Sequence, residues 1–455
     1  MTLRATVHGS TYGFGSVREV LAKASEEKSG DQFTGIAAES VTERIAARYV
    51  LSELTLKDIR ENPVIPYEKD AVTRIIEDGL NDTIFQEICS WTVGQLRDWL
   101  LSHEATGEHV RRVSRALNAE MVAGVAKLMS NMDLVYGAQK LRVVTRANTE
   151  VGMAGTLSFR IQPNHPTDAS AGIIASMMEG LSYGSGDAII GINPVEDSLA
   201  GTTRLMQESY DFMTKWEVPT QNCILSHITT QMDAVQNGAP VMVLFQSIAG
   251  TESTNDSFGV NEALLDEAYD LILHMGKAAG PNLLYFETGQ GSEMAVGEDH
   301  GVDEMTLEAR TYGYARRWRP FIVNNVSGFI GPETLYNGKQ IIRACLEDHY
   351  MGKLIGLPMG MAPCYTNHTN ADQNDQETAT MLLAMAGANY YMGIPMGDDV
   401  MLAYQDTSYH DDATLREMLG LLPAPDFNRW CEKMGILCNG KLTERAGDAS
   451  LFLGR

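Results

Sequence analysis

The fold is decided by the stretch Asn282-Leu283-Leu284-Tyr285-Phe286-Glu287-Thr288-Gly289-Gln290-Gly291. Its consecutive apolar and aromatic residues are typical of a strand that is buried on both faces. A carboxylate and a glycine-rich turn follow, so Glu287 is predicted to lie at the carboxyl end of this strand. Ligands bind at that end in folds that alternate strands and helices. Glu287 is therefore the first candidate for an acid or base, and a turn carboxylate that caps the next helix is the alternative.

Similar short apolar runs recur from about residue 155 and alternate with helical stretches. The runs are 156–162, 188–193, 223–228, 241–247, 283–287, 321–326, 354–359 and 389–394. The helical stretches include 169–181, 198–216, 261–279, 305–316, 333–351 and 377–387. This repetition predicts an α/β protein with a (β/α)8 TIM barrel. An open doubly wound sheet is the competing architecture, but neither a GxGxxG after a first strand nor a GxxxxGK[ST] phosphate loop is found.

The chain is predicted to divide into three parts. Residues 1–150 form a helical N-terminal region, because segments 16–24, 40–52, 69–78, 92–102 and 108–129 carry apolar residues at helical spacing. Residues 151–400 form the barrel, with the active site at the carboxyl ends of its strands. Residues 401–455 form a helical C-terminal extension that includes 412–422 and 425–434, which we interpret as a capping or assembly surface.

The amino-acid composition argues against several classes of binding partner. The formal net charge of -24 argues against nucleic acid or an anionic membrane as partner, because both bind clustered Lys and Arg. No signal peptide or membrane-spanning run is recognised, which predicts a cytoplasmic protein. The six cysteines are scattered without metal-binding spacing, and the polar run 367–375 matches no calcium or zinc template. We therefore predict no metal bound directly by the protein.

Polar residues lie at or near the carboxyl ends of most of the predicted strands. They are Arg160, Gln162, Asn193, His227, Gln246, Ser247, Glu287, Asn324 and Asn325. Parallel strands of a barrel end at one mouth, so these side chains are expected to meet in a pocket. One acid, one Arg and several amides suit a small molecule with a hydroxyl and an amine, because Arg and Asn donate to oxygen while Glu and Gln accept from nitrogen. Removal of nitrogen from an unactivated carbon requires a cofactor.

Several of these segments carry a family resemblance. They are Arg160-Ile161-Gln162-Pro163-Asn164, Gly191-Ile192-Asn193-Pro194, Phe286-Glu287-Thr288-Gly289-Gln290-Gly291-Ser292, Gly328-Phe329-Ile330-Gly331-Pro332-Glu333, 347–354 and Cys364-Tyr365-Thr366-Asn367-His368. Together they resemble the large subunit of ethanolamine ammonia-lyase. The resemblance implies a barrel subunit that binds adenosylcobalamin, base-on, between itself and a separate small subunit. It also implies a hetero-oligomer built on large-subunit dimers, an amino-alcohol substrate and, as an option, enclosure in a bacterial microcompartment.

The resemblance also implies roles for individual residues. Arg160 and Asn193 would bind the substrate hydroxyl, and Gln162 and Glu287 the amino side, with Glu287 also moving a proton; Glu287 and Arg160 are the catalytic candidates. Phe329 and Met392 would line the substrate space. The cofactor would contact Asn193, Gln246, Ser247, Phe258 and Val326. The implied mechanism is radical: hydrogen abstraction from the carbinol carbon, rearrangement, and release of aldehyde and ammonia.

Two positions need separate interpretation. Residues 347–352 are similar to the Asp-x-His-x-x-Gly motif of base-off cobalamin proteins, but the first acid is Glu and the stretch is predicted helical, so His349 is not assigned as a cobalt ligand. Ala362 stands where the family typically has an aspartate that accepts a hydrogen bond from the substrate amine. An unpaired N–H in a buried site costs about 1–3 kcal/mol, so either water fills the gap in a true ethanolamine enzyme or the substrate is an N-alkylated amino alcohol such as N-methylethanolamine.

Two other readings compete with an ammonia-lyase. The first is a barrel lyase or aldolase that uses Glu287 as a base without cobalamin, although the strand ends offer it no obvious Schiff-base lysine or paired carboxylates. The second is a non-catalytic scaffold of a metabolic compartment. Against the scaffold stands the set of Arg160, Gln162, Asn193 and Glu287, because buried unpaired polar groups have no use in a scaffold.

Overall fold

The computed structural model describes residues 3–454, and its centre is an eight-stranded parallel sheet. We number the strands β1 Ser158–Ile161, β2 Ile189–Ile192, β3 Asn222–Ile224, β4 Leu244–Ser247, β5 Leu284–Thr288, β6 Ile322–Asn325, β7 Met359–Met361 and β8 Tyr390–Gly393. The order in the sheet is β3-β2-β1-β8-β7-β6-β5-β4. Strand β1, the first in the chain, therefore pairs with β8, the last. The sheet is thereby nearly closed, and the predicted (β/α)8 barrel is confirmed.

The main helices of the barrel alternate with its strands. They are α1 Ser170–Ser182, α2 Leu199–Lys215, α3 Ile228–Gln236, α4 Glu262–Met275, α5 Glu304–Ala315, α6 Gly338–Ile355, α7 Gln373–Met385 and α8 Tyr409–Leu419. Short helices Glu252–Ser257 and Ser292–Val296 precede α4 and α5. Most of the main helices begin at a side chain that accepts a hydrogen bond from a backbone N–H of the first turn, as Ser198 does for α2 and Asp372 for α7.

The seam between β3 and β4 closes differently from the other strand pairs. The Val243 N–H donates to the Asn222 carbonyl at 3.3 Å. The side-chain amide of Gln231, on α3, then accepts from the Phe245 N–H at 2.9 Å and donates to the Phe245 carbonyl at 2.8 Å. A buried side-chain amide therefore takes the place of a neighbouring strand along this edge of β4.

Some predicted boundaries are wrong. The run 354–359 is not one strand, because α6 continues to Ile355 and ends at Gly356, whose φ of 101° terminates the helix; β7 begins only at Met359. The run 223–228 likewise ends as a strand at Ile224, and Ile228 begins α3. The predicted helix 108–129 is broken into Gly107–Val113 and Ala119–Lys127, since Asn118 caps a new helix.

The N-terminal part is mainly helical. Its helices are Val17–Ala24, Ser29–Phe33, Val41–Glu53, Leu56–Arg60, Ala71–Asp78, Asp82–Ile88, Val93–Leu101, Gly107–Val113, Ala119–Lys127 and Asn131–Gln139, and a hairpin of Arg4–Val7 with Ser10–Gly13 precedes them. Buried ion pairs join this part to the barrel. Arg310 of α5 binds Asp70 at 2.7 Å and Glu120 at 2.8 Å, and Lys28 binds Glu347 of α6 at 2.8 Å. These charges are paired where water is excluded, as buried ions must be.

The chain after β8 returns over the barrel. Residues Asp398–Asp399 and Tyr404–Gln405 form a small antiparallel sheet with Tyr365–Thr366, which follows β7. Helix α8 then packs against the barrel, where Arg416 donates to the Leu157 carbonyl at 2.7 Å. Helix Pro425–Met434, the short hairpin Leu437–Cys438 with Lys441–Leu442, and the 3-10 helix Ala449–Phe452 follow. Across residues 3–454, no helix is both long enough and apolar enough to cross a membrane.

Candidate active site

Arg160 of β1 lies inside the barrel with its side chain fully buried. Space for it exists because β2 has Gly191 opposite, where a Cβ atom would lie 2.6 Å from the Arg160 Nε. The guanidinium donates to the Tyr285 hydroxyl, to Glu287 Oε1 at 3.1 Å and to Gln162 Oε1 at 2.5 Å. Burial alone would lower the pKa of Arg160, but the facing Tyr285 and Glu287 raise it above its ordinary value. Arg160 is therefore a fixed positive charge.

Glu287, near the end of β5, has two different carboxylate oxygens. Its Oε1 accepts hydrogen bonds from Arg160, from the Tyr285 hydroxyl at 2.6 Å and from Asn324 Nδ2 at 3.1 Å. Within residues 3–454, Oε2 accepts none, and the side chain is 17% exposed. One oxygen is thus held by the barrel, while the other is open to a ligand. A carboxylate held in this way can accept a hydrogen bond or a proton from a bound molecule.

The Gln162 amide connects Arg160 to the loop after β8. Its oxygen accepts from Arg160 and from Asn193 Nδ2 at 2.9 Å, and its nitrogen donates to Asp399 Oδ2 and to the Tyr404 hydroxyl, both at 2.7 Å. All the hydrogen-bonding positions of this amide are therefore occupied. Asn193 is half-buried after β2, and it is held at its backbone N–H by Asn164 Oδ1 at 2.8 Å.

An apolar cluster borders the polar residues of the site. A buried cluster contains Ala362, Cys364, Met392, Ile394 and Tyr404, against which the partly buried Val326, Phe329 and Leu402 pack. Phe329 and Tyr404 meet edge to face with ring centroids 5.2 Å apart. Ala362 follows β7 and is fully buried. Its methyl group offers no acceptor, so this wall contributes shape and exclusion of water.

Other sequence-predicted residues surround the site at different depths. Ser247 pairs with Glu287 in the β4–β5 ladder, and it is half-buried, as are Phe258, Val326 and Phe329. Gln246 accepts from the Ile228 N–H at 3.0 Å and donates one N–H to the Ser247 carbonyl.

Two predicted residues make their contacts elsewhere. Asn325 does not contact Glu287, because its side-chain amide donates to Asp348 of α6 at 2.9 Å. His227 caps α3, and its Nε2 lies 3.0 Å from the Phe258 carbonyl.

Sequence reasoning missed three residues of this cluster. Tyr285 belongs to an apolar run in the sequence, but it lies two residues before Glu287, and the alternation of a strand puts both side chains on one face. Asp399 and Tyr404 reach Gln162 from the loop after β8, and no local pattern in the sequence signals that contact. Burial raises the pKa of Tyr285 well above its usual range, so its hydroxyl stays protonated and donates to Glu287.

The barrel and the polar cluster at its strand ends define the class of the protein as a TIM-barrel enzyme. Residues 12–445 match the family described as "Ethanolamine ammonia lyase large subunit (EutB)". The ethanolamine ammonia-lyase large subunits of Escherichia coli (strain K12) and Salmonella typhimurium (strain LT2) are each 52% identical to it over 452 residues, which cover 99% of this chain and 100% of theirs. The chain therefore belongs to the ethanolamine ammonia-lyase large-subunit family, a family of carbon–nitrogen lyases.

One solved structure is much more distant. An N-acetylneuraminic acid (sialic acid) synthetase from Leptospira borgpetersenii serovar Hardjo-bovis is 12% identical with a TM-score of 0.37, over 65% of this chain and 98% of that chain. A likeness at this level carries no argument about the site. The family membership, by contrast, decides against the non-catalytic scaffold.

Proposed function

We propose that this chain is the catalytic large subunit of an adenosylcobalamin-dependent ammonia-lyase that converts ethanolamine to an aldehyde and ammonia by a radical mechanism. The observation that carries the proposal is the Arg160–Glu287 pair, 3.1 Å apart at the strand ends, with one Glu287 oxygen left without a partner among the described residues. A fixed cation and an open carboxylate oxygen suit the two ends of a small amino alcohol. The names of the relatives, which specify ethanolamine, support the same substrate.

In this proposal the side chains divide the work between the two ends of the substrate. Arg160 and Asn193 donate to the hydroxyl oxygen and hold the carbinol carbon in position. Glu287 accepts an N–H through Oε2 and takes or returns a proton as ammonia leaves. Gln162 positions Arg160 and Asn193, because its oxygen accepts from both of them. Phe329, Met392 and Ala362 exclude water from the reacting carbons.

The residues around the mouth suit a large neutral ring that bears amide groups, such as the corrin of base-on adenosylcobalamin. Asn193, Ser247, Phe258 and Val326 are all neutral and half-buried. Gln246 retains one N–H after its bond to Ser247, which is free to donate to a corrin amide. Base-on binding requires no histidine ligand, and His349 lies fully buried on α6. When bound, this cofactor supplies the radical that removes a hydrogen from the carbinol carbon, which no side chain of the site does alone.

The partner in this proposal is a small subunit, as the term "large subunit" in the names of the relatives suggests. We propose that it covers the barrel mouth and the cofactor, within a hetero-oligomer built on large-subunit dimers. A cytoplasmic location, with enclosure in a bacterial microcompartment, belongs to the same proposal. The division into a helical region 1–150, a barrel 151–400 and an extension 401–455 likewise remains a prediction.

The decisive experiment is co-expression of this chain with its small subunit, followed by detection of the aldehyde formed from ethanolamine in the presence of adenosylcobalamin. We expect cofactor-dependent aldehyde release and a change of the cofactor's visible absorbance on addition of substrate. Glu287→Gln should lower kcat at least ~100-fold without loss of folding, because the proton acceptor is removed while the shape is kept. Aldehyde release without cofactor would support the cobalamin-free barrel lyase, and full activity of Glu287→Gln would contradict the role of Glu287.

A second candidate is a lyase for an N-alkylated amino alcohol such as N-methylethanolamine. It is favoured by Ala362, which lies fully buried in the apolar cluster with Met392 and has no acceptor for an N–H. Comparison of kcat/KM for ethanolamine and N-methylethanolamine decides between the candidates, and a strong preference for the unsubstituted amine eliminates the second. Under this candidate, Ala362→Asp shifts preference toward the primary amine, since it adds an acceptor and reduces the space for a methyl group.

A further inference from the structure

The loop between β8 and α8 holds a buried carboxylate that no described residue satisfies. Asp406 is only 3% exposed. Its Oδ1 accepts from the Thr407 N–H at 2.8 Å, but its Oδ2 has no hydrogen-bond partner within residues 3–454. Burial raises the pKa of Asp406 well above its ordinary value, although the Thr407 N–H and the charge of Arg160 act in the opposite direction. A carboxylate in this state is stabilised by a cation.

Asp406 is adjacent to the wall that contains Ala362. Tyr404 and Gln405 pair antiparallel with Thr366 and Tyr365, so continuation of this register places Asp406 opposite Cys364. The Cys364 N–H donates to the Ala362 carbonyl at 2.7 Å. Burial raises the pKa of the Cys364 thiol well above its usual range, and the negative charge of Asp406 adds to this effect.

The same loop already contributes to the site. The Tyr404 hydroxyl accepts from Gln162 at 2.7 Å, and Asp406 lies two residues further along the extended chain, on the same side by strand alternation. Gln162 in turn accepts from Arg160, so Tyr404 connects this loop to the guanidinium. Asp406 is therefore located at the boundary between the polar cluster and the apolar wall.

Three acceptor atoms that are unpaired among the described residues, one each on Glu287, Asn324 and Asp406, equal in number the N–H donors of a primary ammonium group. Glu287 Oε2 accepts no hydrogen bond from residues 3–454, and Asn324 Oδ1 and Asp406 Oδ2 are buried without a partner there. A primary ammonium has three N–H donors. Gln162 offers no further acceptor, because its oxygen already accepts from Arg160 and Asn193.

We infer that Asp406 binds the ammonium group of the substrate and supplies, from the loop after β8, the acceptor that Ala362 lacks. This inference rests on the proposed function and deepens it, because it makes the primary amine the preferred substrate. The second candidate function then loses its motivation, since no N–H of ethanolamine is left unpaired. Asp406 thereby determines which nitrogen substituents the enzyme accepts.

The test is Asp406→Asn in the co-expressed complex with adenosylcobalamin. We expect kcat/KM for ethanolamine to fall about 10- to 100-fold, the range for loss of a hydrogen bond to a charged group, and to fall less for N-methylethanolamine. The unfolding temperature should stay equal or rise, because an unpaired buried carboxylate has been removed. Ala362→Asp combined with Asp406→Asn should restore part of the activity toward ethanolamine.

Asp412→Asn is the matched control. Asp412 is also a buried aspartate with one unpaired oxygen, but its other oxygen accepts at 2.8 Å from Ser185, which lies in the connection between α1 and β2. We expect this variant to keep the wild-type ratio of kcat/KM for the two amines. The same change of ratio in both variants would overturn the inference.

Failure of the inference differs from failure of the proposed function. A wild-type complex that deaminates no amino alcohol contradicts the proposed function. If the wild type is active, three results overturn the role of Asp406: unchanged kinetics of Asp406→Asn, equal losses for both amines, or a lower unfolding temperature, which would make Asp406 structural. A wild-type preference for N-methylethanolamine overturns it as well.

Discussion

The hydroxyl group of Tyr285 links the guanidinium of Arg160 to the carboxylate of Glu287. Tyr285 accepts from Arg160 and donates to Glu287 Oε1 at 2.6 Å. Because the pKa of Tyr285 is raised by burial, the hydroxyl serves as a neutral donor. It therefore helps to hold Glu287 with Oε1 inward and Oε2 toward the ligand.

Tyr285→Phe should lower kcat for ethanolamine about 10- to 100-fold, because a buried hydrogen bond to a carboxylate is lost and Glu287 is less well oriented. Steady-state kinetics of the complex measures the effect. Tyr390→Phe is the control, since Tyr390 is an equally buried barrel tyrosine whose hydroxyl has no partner among residues 3–454. Equal losses in both variants would show that the effect arises from packing.

At this scale the sequence predicts part of the site. Arg160, Gln162, Asn193 and Glu287 lie at or just after strand ends, and in the structure a chain of hydrogen bonds links them, from Glu287 through Arg160 and Gln162 to Asn193. Asp399 could not be predicted, because its contact with Gln162 joins positions that are distant in sequence and depends on the path of a loop. Local patterns specify elements and faces, whereas such contacts arise from the tertiary fold.

Among the elements, the seam between β3 and β4 depends on α3. The Gln231 amide satisfies both backbone groups of Phe245, and it also donates to the Ser226 carbonyl at 2.6 Å. The β-strand ladder itself does not supply these bonds, because β3 and β4 share no register. The helix therefore contributes directly to barrel closure.

Gln231→Leu should lower the free energy of unfolding by about 1–3 kcal/mol for each of the two Phe245 groups left unpaired. Urea denaturation of the purified chain measures the change. Gln236→Leu on the same helix is the control, because Gln236 is exposed and its replacement should change stability by less than about 0.5 kcal/mol. Equal stabilities of the two variants would contradict the role of Gln231 in closing the seam.

The predicted helix and strand boundaries are wrong at two points, where a capping residue ends or begins a helix within a continuous apolar pattern. Leu354 and Ile355 read as the start of a strand, but they form the last turn of α6, which ends at Gly356. Residues 108–129 read as one amphipathic helix, but the Asn118 side chain accepts from the Met121 N–H at 3.0 Å and starts a second helix. The apolar pattern is continuous across both points, so only the cap residue signals the boundary.

Over the whole molecule, buried acids make stability depend on pH. Glu293 is 1% exposed; its Oε1 accepts from the Gly250 N–H at 2.6 Å, and its Oε2 has no partner within residues 3–454. Burial, opposed by that N–H, raises the pKa of Glu293 from 4.5 to about 7. The folded state therefore binds the proton more tightly than the unfolded chain does. The resulting stabilisation is complete below pH 4.5 and is lost as the pH rises through about 7.

We expect the unfolding temperature to fall as the pH rises from about 5 to 8, and Glu293→Gln to reduce this fall, because glutamine does not titrate. Thermal unfolding of the purified chain at a series of pH values measures both. Glu267→Gln, at an exposed position on α4, is the control and should keep the wild-type pH dependence. An unchanged slope in Glu293→Gln would contradict the assignment.

The segment between β8 and α8 contains Asp399, Tyr404 and Asp406, while Arg160 and Glu287 come from barrel strands and Gln162 directly follows β1. If Asp406 binds the ammonium group, this one stretch both supports Gln162 and contacts the amine, while the strands carry the fixed charges. Under that inference, exchange of residues 398–406 between relatives should alter amine preference only together with residue 362, which lies after β7. Amine specificity can then be redesigned at two loop positions, and the barrel strands stay unchanged.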